Sequence, residues 1–322
     1  MKVVALAGGV GGAKMASGLY QILPPEDLTI IVNVGDDFEH LGLKICPDLD
    51  TVCYTLAEIA HPVTGWGRED ESWNAFESLA ELGGPVWFRL GDRDLGTHLE
   101  RTHLLARGCR LSQVTEQFCR AWGVDSRVFP VSDDPIPTLV LTDEGQLSFQ
   151  EYFVRRQCHP RVTGFKFEGI EKARPVPEVL QALEEAQVVV ICPSNPWVSI
   201  DPILKVSGVR ALLKAHHPTD HRAVLAISPI IAGEAVKGPA AKMYTEFGVK
   251  PSALAVAQHY GEQTKGGILT GFVFDTVDTN HLEAMQALRL KTLITDTVMK
   301  TPADRRRLAE EVIAFGFDLI AT

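Results

Sequence analysis

No apolar run in the sequence approaches the roughly 20 residues that a membrane-spanning helix needs, so no membrane partner is expected. The opening stretch MKVVALAGG turns to glycine before the apolar core of a signal peptide develops, which makes the cytoplasm the expected compartment. Positive charge is in deficit. Lys and Arg number 31 against 41 Asp and Glu, a formal net charge of -10. That balance argues against nucleic acid as a partner, because phosphate backbones select basic surfaces. A local basic patch still suits a small anionic ligand. The six cysteines, at 46, 53, 109, 119, 158 and 192, form no C-x-x-C pair. Neither a zinc site nor a disulfide framework is expected from that spacing. Internal repeats and low-complexity linkers are also missing, which favours one elaborated domain over a string of modules.

What the chain does contain is an alternation of short apolar runs and helical patterns. Residues 2–7, 28–33, 188–192, 222–228 and 271–275 read as buried strands. Amphipathic stretches at 173–186, 203–215, 239–247 and 302–315 read as helices. This order predicts an α/β fold with a doubly wound, Rossmann-like parallel sheet. The segment TLVLTDEGQLSFQEYFV (138–154) breaks the alternation: two alternating runs flank a DEG turn. It predicts an inserted β-hairpin and helical region at 138–170 within a single domain spanning 1–322.

Ligands of such sheets collect beyond the carboxyl ends of the strands. The loop after the first strand is GGVGGAK, with Gly8, Gly9, Gly11, Gly12 and then Lys14. Glycines let backbone N–H groups approach an anion, and the helix N-terminus adds partial positive charge. The spacing fits neither the dinucleotide loop nor the phosphate loop G-x-x-x-x-G-K-[ST]. A tight strand-to-helix turn is the plain alternative.

The loop after the second strand carries Asp36, Asp37, Asp48 and Asp50. Carboxylates gathered at a strand end are costly neighbours unless a cation or a basic group neutralises them, and magnesium suits a few carboxylates plus waters and substrate phosphates. Asp50 precedes the apolar stretch TVCYTLAEIA, so a helix-capping role is equally open to it. In VWFRLGDRDLGTH (86–98), Trp87 and Phe88 could pack on a flat ring and Arg89 could hold a polar group. Asp92, Arg93, Asp94 and His98 follow, and an ion-pair turn explains them as well. Asp133 and Asp134 read as turn caps. The loops CPSNPWVSIDPIL and SPIIAGEAVKGPAAKM offer Ser194, Asn195, Ser199 and Lys237 as donors on rigid backbone.

Together these segments resemble one family, the 2-phospho-L-lactate transferases of coenzyme F-420 biosynthesis. AGGVGGAK, NVGDD, CPDLDTVCYTLA, WFRLGDRDLGTH, SDDPIPT, FQEYFV, PSNPWVSIDPIL and SPIIAGEAVKGPAAKM run in family order from residue 7 to residue 243. The resemblance implies a magnesium-dependent transferase, commonly a homodimer. Its acceptor is Fo, a deazaflavin with a ribityl chain. Its donor is a guanosine diphosphate derivative carrying lactate or a related acid such as enolpyruvate. The ribityl hydroxyl attacks the phosphorus that bears the acid, and GMP leaves.

Carried onto this chain, the family's Fo contacts match Asp50 and Arg89, with Trp87 beside them. The glycine loop with Lys14, together with Ser194, Asn195, Ser199 and Lys237, falls on the nucleotide side. Asp37 is the expected metal ligand, with Asp36 and Asp50 beside it, and Asp37 and Asp50 are the expected catalytic pair. Whether Asp50 binds metal or accepts a proton stays open at this level, as does the identity of the three-carbon acid. Asp201 and Ala232 stand where glycine is common in the family. A regulatory protein of the gluconeogenesis-factor type, binding UDP-sugars, is the main rival. Its acidic segment, of the form DDGGSSG, differs from the one here. A nicotinamide dehydrogenase is the other rival, and the glycine spacing opposes it.

Overall fold

A computed structural model describes residues 1–214 and 222–321. Seven strands form the main sheet: β1 (Val3–Ala7), β2 (Leu28–Val32), β3 (Arg127–Pro130), β4 (Val188–Ile191), β5 (Ala223–Ile227), β6 (Gly271–Asp275) and β7 (Lys291–Thr295). Their order is β7-β6-β5-β4-β1-β2-β3, and every pairing is parallel. This is the doubly wound α/β arrangement expected from the sequence. The five inner strands are buried along their whole length. Their continuous Val, Ile, Leu and Ala runs follow from helices covering both faces.

The two edge strands were not among the expected five. β3 (RVFP) begins with an exposed arginine and ends on proline. β7 (KTLIT) has no fully buried residue. An edge strand needs only one paired side, so its sequence is free to be short and polar.

Helix α1 (Gly9–Ile22) leaves β1 and packs between α2 (Pro47–Leu56) and the C-terminal helix Pro302–Ala321. Gly18 makes the second contact possible: a Cβ there would fall 2.2 Å from the Arg305 carbonyl oxygen. Helices α3 (Asp92–Ala106) and α4 (Leu111–Ala121) lie between α2 and β3 in the chain. The expected helix at 173–186 starts only at Pro177 and ends at Glu185. The stretch 203–215 is two short helices, Asp201–Lys205 and Val209–Lys214, and position 215 lies outside the described residues.

The inserted region is a three-stranded antiparallel sheet, with Thr138–Thr142 at the centre, Gly145–Ser148 on one side and Val162–Phe167 on the other. Val140, Phe149, Tyr152 and Val162 pack with Val198 and Met243 into a second, small core. That core ties the insertion to the loop after β4. Among the described residues no helix is long and apolar enough to cross a membrane.

Candidate functional site

The chain runs to one side of β1 through β2 and β3 and then crosses to the other side at β4, so the loops after β1 and β4 part company at the sheet's switch point. A cavity of about 710 Å³ opens there. Gly8, Gly9, Gly11, Lys14, Asp36, Asp50, Trp87, Arg89, Ser194, Asn195, Ser199 and Lys237 all line it, although they span 230 positions of the sequence. Of the expected site residues only Gly12 and Asp37 do not.

The glycines are explained by close approach. A Cβ on Gly8 would meet Asp48 Oδ2 at 2.6 Å, one on Gly11 the Pro193 carbonyl at 2.2 Å, and one on Gly12 Ser194 Oγ at 2.7 Å. Gly9 adopts φ +61°, a left-handed conformation that favours glycine. Ser194 Oγ donates to the Gly8 carbonyl at 2.7 Å, so the two switch-point loops are clasped together. The start of α1 does face an anion, but that anion belongs to the chain: Gly9 N–H donates to Asp48 Oδ1 at 2.7 Å.

Helix α2 begins at Pro47 rather than at Thr51. Asp50 therefore lies inside the first turn and cannot be the cap that the sequence allowed. Two carboxylates of that turn, Asp48 and Asp50, reach the cavity from different surroundings. Asn33 Nδ2 donates to Asp48 Oδ2 at 2.8 Å and to Asp36 Oδ1 at 3.3 Å. No lysine, arginine or histidine among the described residues pairs with either acid. Burial raises Asp36 well above the usual carboxylate range, and the neighbouring Asp48 charge adds to it. Burial also pushes Asp48 up to about 6, against the hydrogen bonds from Asn33 and Gly9.

Asp50 has a partner. Arg101, buried on α3, grips both of its oxygens, Nη2 on Oδ1 and Nη1 on Oδ2 at 3.1 Å. Asp37 is likewise held by the chain's own groups. Lys44 Nζ lies 3.2 Å from its Oδ2, and Cys46 Sγ donates to the same oxygen at 3.0 Å. Asp37 faces a separate recess on the outer side of Trp87, lined also by Glu39, Lys44 and Arg155.

The walls divide by chemistry. Three lysines, Lys14, Lys237 and Lys300, are among the lining residues. Lys14 donates to the Met299 carbonyl at 2.9 Å, and its pKa is lowered by burial and by the charges of Arg305 and Lys237. Burial also lowers Lys237, which donates to the Thr64 carbonyl. Among the described residues none of these three lysines has an acidic partner, and an anion would relieve the repulsion that Lys237 exerts on Lys14. Aromatic rings form another wall. Trp87 and Phe88 pack in edge-on and tilted pairs with each other and with Phe38 and His40, at centroid distances of 4.8 to 6.3 Å. The Arg89 guanidinium lies 4.3 Å above the Trp73 ring. Phe149 and Phe153 stack at 5.5 Å, and half-exposed Trp66 completes the mouth.

Sequence reasoning missed several of these residues. Asp94 and His98 were read as part of an ion-pair turn, yet both line the cavity. Their four-residue spacing, one helical turn on α3, was the available signal. Lys300 and Phe153 carry no local pattern. Asp92 is structural: it accepts from Ser72 Oγ and from the N–H groups of Asn74 and Ala75, capping the helix Asn74–Glu81. Asp133 and Asp134, expected to cap their own turn, instead hold distant backbone: Asp133 takes the Ser112 N–H at the start of α4 at 2.7 Å, and Asp134 takes the Arg174 N–H at 2.9 Å.

Residues 3–313 match the family model described as 2-phospho-L-lactate transferase CofD. The chain belongs to the CofD family of transferases. Among its relatives, the phosphoenolpyruvate transferase of Streptomyces griseus is 43% identical, over 98% of this chain and 100% of that protein. The enzyme of the same name from Streptomyces coelicolor is 44% identical over 89% of both chains. One from a Mycobacterium species is 40% identical, covering 92% of this chain and 94% of its own. A crystal structure of a UPF0052-family protein from Bacillus halodurans shares the fold, with a TM-score of 0.63 and 16% identity over 97% and 98% of the two chains.

Proposed function

We propose that this CofD-family chain transfers a phosphate-linked enolpyruvyl group from a guanosine diphosphate donor to the ribityl hydroxyl of Fo. The hydroxyl oxygen attacks the phosphorus that bears the acid. The bond from that phosphorus to the bridging oxygen breaks, GMP leaves with the electron pair, and the hydroxyl proton is lost. The observation that carries this reading is a cavity lined both by carboxylates without a basic partner and by lysines without an acidic one, in a chain of a phosphotransfer family. The enolpyruvyl choice follows the names of the curated relatives.

Phosphoryl-type transfer depends on positioning and charge neutralisation more than on a reactive side chain. Lys14, Lys237 and Lys300 would meet the anionic donor. Arg89 and the Trp87 wall would meet the acceptor. Asp36 and Asp48 fit a magnesium ion: they are buried oxygen donors, both raised in pKa, with no cation of the chain beside them. The ion would offset charge that develops on the bridging oxygen. Asp50 and Asp37, expected as ligands, already hold Arg101 and Lys44. In our reading Asp50 instead orients the acceptor.

The proposal keeps the expected cytoplasmic homodimer, which sedimentation analysis tests. The decisive experiment supplies purified protein with magnesium, Fo and either the enolpyruvyl or the lactyl guanosine diphosphate donor. Formation of GMP and the modified deazaflavin with the first donor is expected. No turnover with either donor, alongside tight binding of a UDP-sugar, would favour the regulatory alternative.

A further inference from the structure

Asn33 is the first residue beyond β2, and it is fully buried. Its backbone N–H continues the sheet pattern, donating to the Ala7 carbonyl at 3.0 Å. Its side chain reaches the Asp36 and Asp48 carboxylates and the loop after β4.

The orientation of the amide is set by its neighbours. Gly35 N–H donates to Asn33 Oδ1 at 2.8 Å. A backbone N–H only donates, so the amide oxygen faces Gly35 and the nitrogen faces the acids. The turn is tight around it: a Cβ on Gly35 would fall 2.9 Å from Asn33 Oδ1 and 2.8 Å from Thr138 Oγ1.

Asn33 Nδ2 has three acceptors within reach: Asp48 Oδ2 at 2.8 Å, the Val198 carbonyl at 3.1 Å and Asp36 Oδ1 at 3.3 Å. For the Asp36 carboxylate this is the only hydrogen bond among the described residues. Asp48 has one more, from Gly9 N–H to its other oxygen. Two buried carboxylates brought together repel. A single nitrogen that donates to both offsets part of that repulsion and limits how far apart they sit. An ionised aspartate in the same place would still accept from Gly35, but it would meet the two acids with a third negative charge.

We infer that Asn33 is a positioning residue for the cation seat: its amide holds the Asp36 and Asp48 carboxylates together and ties them to the backbone of the loop after β4. The inference rests on the magnesium reading above and adds the group that aims its two ligands. Partners of this kind touch the ligands rather than the ion, and they set metal affinity as well as ligand orientation. The bond to the Val198 carbonyl joins the seat to a loop that lines the same cavity through Ser194, Asn195 and Ser199.

The test is a calorimetric titration of Mn²⁺ alone into wild type, Asn33→Ala and Asp48→Asn, with melting temperatures as the fold control. Mn²⁺ is the probe because it takes the same oxygen ligands as magnesium. Wild type should bind the ion, and Asp48→Asn should lose it. Asn33→Ala should bind it about 10–100-fold more weakly. An asparagine that only braced the turn would lower the melting temperature and leave metal affinity alone. A folded Asn33→Ala with wild-type Mn²⁺ affinity therefore overturns the positioning role, and loss of binding in Asp48→Asn would then leave the metal reading standing. Wild-type affinity in Asp48→Asn, or no binding to wild type, overturns both. If Asn33→Ala fails to fold, side-chain amide NMR spectra of asparagine-labelled wild type decide. The chain has four asparagines, and substituting Asn74, Asn195 and Asn280 by serine assigns the Asn33 pair by elimination. Saturating Mg²⁺ should shift that pair, and a pair that stays in place overturns the inference.

Discussion

Asp48 and Asp50 stand two residues apart in the first turn of α2, both buried and both on the cavity. Their settings differ in one respect. Asp50 is gripped by Arg101, and Asp48 has only an asparagine amide and a backbone N–H. A buried carboxylate with a guanidinium is a finished structure, a brace between α2 and α3. A buried carboxylate beside a second acid is unfinished, and a cation completes it. The same helical turn therefore provides one paired carboxylate and one without a basic partner, and on the proposed function the second is the seat for magnesium.

The sharpest way to break this comparison is to neutralise each acid. Asp48→Asn should lower turnover by about 10²–10³ at saturating substrates, since a charge aimed at the reacting phosphate is lost. Stopped assays across a magnesium series check it, and wild-type rates at limiting magnesium would remove Asp48 from the metal site.

Arg101→Met should act on stability instead. It leaves Asp50 buried and unpaired, which costs about 3–5 kcal/mol. Urea denaturation reads that loss, and a midpoint equal to wild type would contradict the brace.

The pH dependence of metal-free protein separates the two acids again. Burial pushes the folded Asp48 carboxyl up to about 6 from its ordinary 3.8, so the folded state binds its proton more tightly. Its stabilising contribution is complete below pH 4 and is lost as pH rises through 6. Relative to Asp48→Asn, wild type should lose on the order of 3 kcal/mol across that window. Magnesium should remove the difference. A stability gap that does not vary between pH 4 and 7 would contradict the raised pKa.

Arg89→Ala should have a moderate effect, weakening Fo binding by about 1–2 kcal/mol while donor affinity holds. Equal weakening of both ligands would sink its place on the acceptor side. The smallest effect is expected for Asp37→Asn, with turnover within about threefold of wild type. Asp37 is paired with Lys44 and faces the outer recess. A large loss that excess magnesium restores would return Asp37 to the metal site.

The sequence alone determined the layered parallel sheet, because strands buried on both faces must be apolar throughout and these five are. It also located the switch-point loops and the hairpin, since glycine, proline and turn residues act locally. It could not reveal β3 and β7, whose exposed edges relax the pattern. Nor could it rank the acids. Asp36, Asp37, Asp48 and Asp50 look alike in one dimension, and their roles depend on partners such as Arg101, brought up 51 positions later in the chain. Charge pairing across that separation is a property of packing. Tertiary structure therefore decided which carboxylates have a basic partner and which have none.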